Sequence, residues 1–131
     1  MNQLRPTFTP LNYSYKKTDS DVSVLNLNAL PLDKTLLQDK QIIRLGPGAV
    51  GGNHKHPRTE WFVAIGDLVL VWIDEVGVSH ELQMNPDGQL FLTEVPPLLP
   101  HAVVNRSKTQ FGVLYEMADA KMADVEQVAV I

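Results

Sequence analysis

The sequence predicts an all-β fold, a sandwich or barrel, on three observations. From residue 41 onward, short apolar runs follow one another closely. Clusters of Gly, Pro, Asn and Asp separate them, and several runs are rich in β-branched and aromatic residues.

Taken in order, residues 1–20 are polar, interrupted by Pro6 and Pro10, and predict an extended N-terminal arm. Residues 21–131 are assigned to one barrel domain. Residues 22–27 largely alternate apolar and polar side chains with period two, as a half-buried strand does, and Pro31 stops them. Residues 33–39 suit either one helical turn or an irregular loop. Strands are predicted over 41–45, ended by Gly46-Pro47-Gly48, over 61–65, ended by Gly66-Asp67, and over 68–73, closed by Asp74-Glu75. The next strand, 76–84, runs into Asn85-Pro86-Asp87-Gly88, where proline presets φ and glycine accepts a positive φ. Runs at 90–92, 102–104 and 111–115 complete the series. Residues 118–127 have helical composition and 128–131 read as a strand, so the tail is left open between the two.

A chain of 131 residues fits one domain and buries enough surface to fold without a disulfide or a structural metal. With no cysteine, thiol catalysis, zinc–thiolate sites and a disulfide framework are excluded. The formal net charge is -4 and the 11 Lys and Arg are scattered, which argues against a nucleic-acid partner. No apolar stretch approaches the ~18 residues of a membrane span, and the first residues lack the apolar core of a signal peptide. A soluble, cytoplasmic protein with no membrane partner is the expectation.

Three of the four histidines fall in two tight contexts. The first is Gly51-Gly52-Asn53-His54-Lys55-His56-Pro57-Arg58-Thr59-Glu60. Side chains two apart in an extended segment point the same way, so His54 and His56 share a face. Glu60 has the same parity and rejoins that face if a strand resumes after Pro57. The glycines let the chain turn into the site. The second is Pro96-Pro97-Leu98-Leu99-Pro100-His101, a proline-stiffened turn that delivers a histidine to the start of a strand. Three imidazoles and one carboxylate suit one divalent first-row transition metal (iron, manganese, zinc, nickel or cobalt) and not calcium, which wants oxygen ligands.

These two contexts resemble the two motifs of the cupin superfamily. Gly48, His54, His56 and Glu60 match the first motif at its spacing, with the closing Gly66 one residue early. Pro96, His101 and Asn105 match the second, with Gly88 as its opening glycine, and Leu98 stands where that motif carries a glycine. The resemblance implies a double-stranded β-helix (jelly-roll-like) barrel, commonly dimeric, with a metal held inside by His54, His56, Glu60 and His101. The same two stretches look like the small cupins of nucleotide-sugar and surface-polysaccharide biosynthesis, which include ketoisomerases, epimerases and metal-binding accessory domains. The four-ligand set departs from the rhamnose-type epimerases, which work without metal.

Beyond the ligands, Phe62 and Phe91 are candidates for the pocket wall. Arg44, Arg58 and Arg106 are candidates for clamping a phosphate or carboxylate, and Arg44, in step with Ile42, is the best placed of them to face the pocket. Asn105 is expected to bond backbone or to orient ligands, and His80, with no motif around it, to be a solvated strand residue. The leading expectation is metal-dependent chemistry on a small polar organic molecule, a sugar derivative among the candidates, by isomerisation or epimerisation. A non-haem iron dioxygenase and a non-catalytic cupin that binds a small ligand are the alternatives. A homodimer is expected, with the edge of 22–27 available to a second copy.

Overall fold

The computed structural model describes residues 4–131. They form β1 (Thr7–Leu11), β2 (Tyr15–Lys16), β3 (Ser23–Val24), β4 (Asp39–Leu45), β5 (Val50–Lys55), β6 (Glu60–Ile65), β7 (Leu68–Ile73), β8 (Ser79–Gln83), β9 (Leu90–Val95), β10 (His101–Asn105), β11 (Gly112–Ala118) and β12 (Glu126–Gln127). No α-helix occurs among the described residues; three single 3-10 turns are the only helical elements. The strands build two five-stranded sheets, ordered β1-β9-β6-β11-β4 and β12-β5-β10-β7-β8, and β2 and β3 form a separate pair. Every pairing is antiparallel.

The two sheets close on an apolar core of Leu45, Phe62, Leu68, Leu70, Met84 and Leu114, among others. Alternation along each strand decides which side chains enter it. In β6, Glu60, Phe62 and Ala64 face inward. Trp61 and Val63 face out, yet are buried, because Leu25, Leu30, Leu32 and Leu37 of the segment before β4 pack over the outside of the first sheet. A strand covered on both faces reads as a continuous apolar run, which is what residues 61–65 show.

The N-terminal stretch is not a free arm. Residues 1–3 lie outside the described residues, but Thr7–Leu11 runs along β9, with Thr7 opposite Glu94 and Leu11 opposite Leu90. Pro10 reads as a breaker in sequence, but an edge strand needs backbone donors on one side only and tolerates it. Within 22–27 only Ser23 and Val24 pair; the Asn26 side chain then accepts from the Asn28 N–H at 3.0 Å and starts a 3-10 turn over Leu27–Ala29. A local side-chain bond has displaced the ladder there. The strand expected over 76–84 starts late, at Ser79, because Asp74 Oδ1 accepts from the N–H groups of Val76 and Val78 and holds Gly77 in a turn with φ +84°. Residues 33–39 contain one 3-10 turn, Lys34–Leu36. In the tail the helical composition of 118–127 is not used: the only regular element is β12, on the edge of β5.

Leu98, which occupies the motif's glycine position, keeps a glycine-like backbone at φ +66°. Its N–H donates to the His56 carbonyl at 2.9 Å, so the strained turn ties the loop before His101 to the second histidine.

Candidate metal centre

Both sheets contribute to the site. His54 near the end of β5 and His101 at the start of β10 lie opposite one another in the second sheet. Glu60 opens β6 in the first sheet, and His56 sits in the bend between β5 and β6. The ladder shifts register between His101 and Ala102, which brings Gly52 against the backbone of β10. A Cβ on Gly52 would lie 2.9 Å from the His101 carbonyl oxygen, and its φ is +91°, so only glycine fits this approach. The next residue, Asn53, bulges at φ +58°, a conformation that asparagine tolerates. Its Oδ1 accepts from the N–H groups of Val130 and Ile131 at 3.1 and 3.0 Å and pins the tail beside His54.

The four residues expected as ligands come together. One donor atom from each of His54, His56, Glu60 and His101 lies within 4.8 Å of the others. The three imidazoles form a triangle with centroid separations of 4.7, 5.0 and 5.2 Å. Glu60 Oε1 lies 3.2 Å from His56 Nε2 and 3.0 Å from His101 Nε2. At both ends of the His56–Glu60 contact the atoms are buried and lack a hydrogen bond. His101 Nδ1 donates to the Leu99 carbonyl at 2.8 Å, since a carbonyl can only accept. In the neutral ring this leaves the Nε2 lone pair aimed at Glu60. Such a cluster of facing lone pairs is the arrangement a cation resolves, and the nitrogen-rich set fits a divalent transition metal.

Two buried residues outside the ligand set shape the site. Arg58, 2% exposed, donates from Nε and Nη2 to Glu60 Oε2 at 3.1 and 2.6 Å and from Nη2 to Glu116 Oε1 at 2.9 Å. Gln41 Nε2 also donates to Glu116 Oε1, at 2.6 Å. Glu116 belongs to the inward face of β11 with Leu114 and Ala118. Its inward parity in an otherwise apolar strand was the sequence signal that could have singled it out. For Arg58, nothing in the neighbouring residues signals burial among three carboxylates.

Burial pushes the His54 pKa down to about 4, helped by the neighbouring His101 and His56, so the ring is neutral near pH 7. Burial by itself raises the Glu60 pKa, but with protons on the facing His101 and His56 nitrogens the carboxyl is held well below its usual range, and a bound cation would supply the same positive charge. Burial, with the charge of Glu60 second, moves the Glu116 pKa upward. In the metal-free protein the unfolded chain therefore binds up to one more proton at His54 than the folded chain between about pH 4 and the ordinary 6.5 of histidine. Stability falls as pH is lowered through that window. Glu60 adds to the loss below its ordinary 4.5, and Glu116, shifted the other way, opposes it. The urea midpoint of the metal-free protein is expected to drop between pH 7 and pH 5, and to drop less in His54→Gln. An equal drop in the variant would assign the effect elsewhere.

A pocket of about 140 Å³ opens beside His54, Glu60 and His101, lined by Ile43, Phe62, Val103, Leu114 and Met122 together with Gln41 and Glu116. Phe62 lines it and three other candidates do not. Arg44 points out from β4 and lies over the Phe111 ring at 4.4 Å; the parity is the reverse of that expected, with Gln41, Ile43 and Leu45 inside and Ile42 72% exposed. Phe91, on β9, lies opposite Pro10 of β1 and does not line the pocket. Asn105 is buried at the far end of β10, where Nδ2 donates to the carbonyls of Leu45, Gly46 and Gln110 and joins three segments of backbone. Arg106 pairs with Glu81 on the surface. His80 is exposed, bonded to Asp74 and stacked on Trp72.

No protein-family model and no curated protein matches the sequence. Solved structures do match the fold. A dTDP sugar isomerase from Desulfovibrio desulfuricans G20 aligns over 99% of this chain and 88% of its own, with a TM-score of 0.74 and 13% identity. QdtA, a sugar 3,4-ketoisomerase from Thermoanaerobacterium thermosaccharolyticum solved in complex with TDP, aligns over 93% of this chain and 87% of its own, with a TM-score of 0.66 and 12% identity. The chain has a cupin fold. The capsular polysaccharide assembling protein CapF from Staphylococcus aureus also matches, over 70% of this chain at a TM-score of 0.62 and 19% identity. The matched part is 27% of CapF, so this chain spans a minor fraction of that protein's length. At these identities the likeness is one of fold.

Proposed function

We propose that this cupin is metal-dependent and acts on a small polar organic molecule, a sugar derivative, by isomerisation or epimerisation. The observation that carries the reading is the buried, unpartnered contact of His56 Nε2 with Glu60 Oε1, closed by His54 and His101. Charge supports it as well. Arg58 supplies one positive charge against the buried carboxylates of Glu60 and Glu116, and the remaining negative charge favours a cation. When bound, a divalent ion supplies Lewis-acid polarisation of a substrate carbonyl or enolate oxygen.

The chain's own residues supply the rest. The pocket is close to the roughly 150 Å³ of a cavity that holds benzene, the scale of one six-membered ring. A nucleotide attached to that ring would lie outside. Ile43, Phe62 and Leu114 form the pocket's apolar walls, and Gln41 and Glu116 are the polar groups beside the donors. Glu116, outside the ligand set and with its pKa moved up, is suited to take a proton from a carbon next to a carbonyl and return it. The sugar class is supported by the fold shared with the dTDP sugar isomerase and with QdtA, a sugar 3,4-ketoisomerase.

The test is to load the protein with Mn(II), Zn(II) or Fe(II) and incubate it in D2O with nucleotide-linked 4-keto sugars and with simple keto acids. Deuterium entering the position next to the carbonyl, read by NMR, is the expected result. Uptake of oxygen by the Fe(II) form without exchange would move the reading to a dioxygenase. Protein that takes up none of these metals would end the reading.

We also propose a homodimer. Its support is an apolar groove outside the first sheet, where Ile42, Val63, Ile65 and Val113 meet Leu25 and Leu27. Ile42 and Ile65 are 72% and 56% exposed there. The expected partner surface thus moves from the edge of 22–27 to this face. Ile42→Glu is expected to convert the dimer to monomer, and light scattering that finds a 14.6 kDa wild-type monomer at micromolar concentration would rule the dimer out.

A further inference from the structure

Arg58 lies between two of the four donors in sequence, in the bend from His56 to Glu60, and its surroundings are unusual for a side chain of its kind. A guanidinium has five N–H donors in a fixed fork. Here all are used. Nε and Nη2 hold Glu60 Oε2 at 3.1 and 2.6 Å, and Nη2 also reaches Glu116 Oε1 at 2.9 Å. Nη1 donates to Asp39 Oδ2 and to the Ala120 carbonyl, both at 3.0 Å. The contacts come from β4, β6, β11 and the tail, so the guanidinium cannot turn without breaking bonds to several elements.

The consequence falls on Glu60. Its Oε2 is gripped from one side by two N–H groups, which leaves Oε1 alone to face His56 and His101. A free carboxylate can offer both oxygens to a cation; this one is restricted to a single oxygen. We propose that Arg58 is a positioning residue that makes Glu60 a one-oxygen ligand and thereby sets the affinity and geometry of the site. The inference rests on the metal-binding reading above. Lysine would not replace it, because an ammonium is a point charge without the planar fork that grips one carboxylate oxygen from two nitrogens.

Cobalt(II) is the probe, because its visible absorption reports the number and arrangement of its ligands. Wild-type protein, Arg58→Met and Arg58→Lys would each be titrated with Co(II) against a chelator of known affinity, with the spectrum of the bound form recorded. Both variants are expected to bind Co(II) about 10–100-fold more weakly, the usual loss when a partner of a metal ligand is removed. Both are also expected to show an altered visible spectrum. A residue that only braced the bend would change the melting temperature and leave the spectrum of the folded, loaded protein as in wild type. Should Arg58→Met not fold, Arg58→Lys, which keeps the buried positive charge, decides the matter alone. Wild-type affinity and spectrum in Arg58→Lys would overturn the inference while leaving the metal reading intact. Wild-type protein that binds no cobalt would overturn both.

Discussion

Replacing His101 with alanine is expected to abolish metal binding and leave the fold in place. His101 provides one of only four donors, and the loss in affinity should exceed the roughly 10–100-fold that follows removal of a ligand's hydrogen-bond partner. The cost to the fold is small for local reasons. The ring lies against the pocket, so the space it vacates joins an existing cavity that water can enter, and no closed void is left in the core. The Leu99 carbonyl loses its bond from Nδ1–H, worth about 1 kcal/mol. Glu60 is not abandoned, because Arg58 still holds its other oxygen through two bonds. The metal-free variant should therefore melt within a few degrees of the metal-free wild type and keep its β-type circular dichroism. Metal should stabilise the wild type alone, by about 4 kcal/mol when the metal is a thousandfold above its dissociation constant, and raise its melting temperature accordingly. An unfolded variant beside a stable metal-free wild type would make the site a structural one and count against the proposed chemistry.

The sequence was most informative where local pattern and function coincide. His54, His56, Glu60 and His101 were legible because a two-residue period, a Pro-rich turn and the order of two motifs all fix the same face. The central strands were legible for a similar reason: β7 came out at its observed bounds, and β4, β6 and β11 within a few residues of theirs. Three features were not legible. β1 was hidden by Pro10, since an edge strand lacks the need for ladder donors that makes proline informative elsewhere. Counting from Ile42 puts Arg44 inward, but an isoleucine that is itself exposed carries no information about which face is the core. Arg58 shares the parity of His56 and Glu60, and only the tertiary meeting of Asp39, Glu116 and Ala120 turns its charge to other parts of the chain and buries it.

Glu116→Gln is expected to slow deuterium exchange into the substrate by about 10²–10⁴-fold while metal still binds. The argument begins with position. Glu116 lies on the pocket wall, and its Oε1 is held by Gln41 and Arg58. No described residue bonds Oε2, which is therefore the oxygen open to a ligand. Its raised pKa, caused by burial first and the charge of Glu60 second, makes the carboxylate a stronger base than an exposed glutamate. Exchange that needs the carboxylate form should fall as pH is lowered through that raised value, and Glu116→Gln should lack this limb of the profile. Glutamine preserves shape and can still accept from Gln41 and Arg58 through its amide oxygen, but it cannot carry the proton. The substitution also removes one of two buried negative charges that share a single guanidinium, so the melting temperature should hold or rise. A damaged fold is therefore not the expected cause of lost exchange, and unchanged Co(II) affinity would exclude a damaged metal site. Wild-type exchange in the metal-loaded variant would remove Glu116 from the chemistry and leave proton transfer to a group outside this pocket wall.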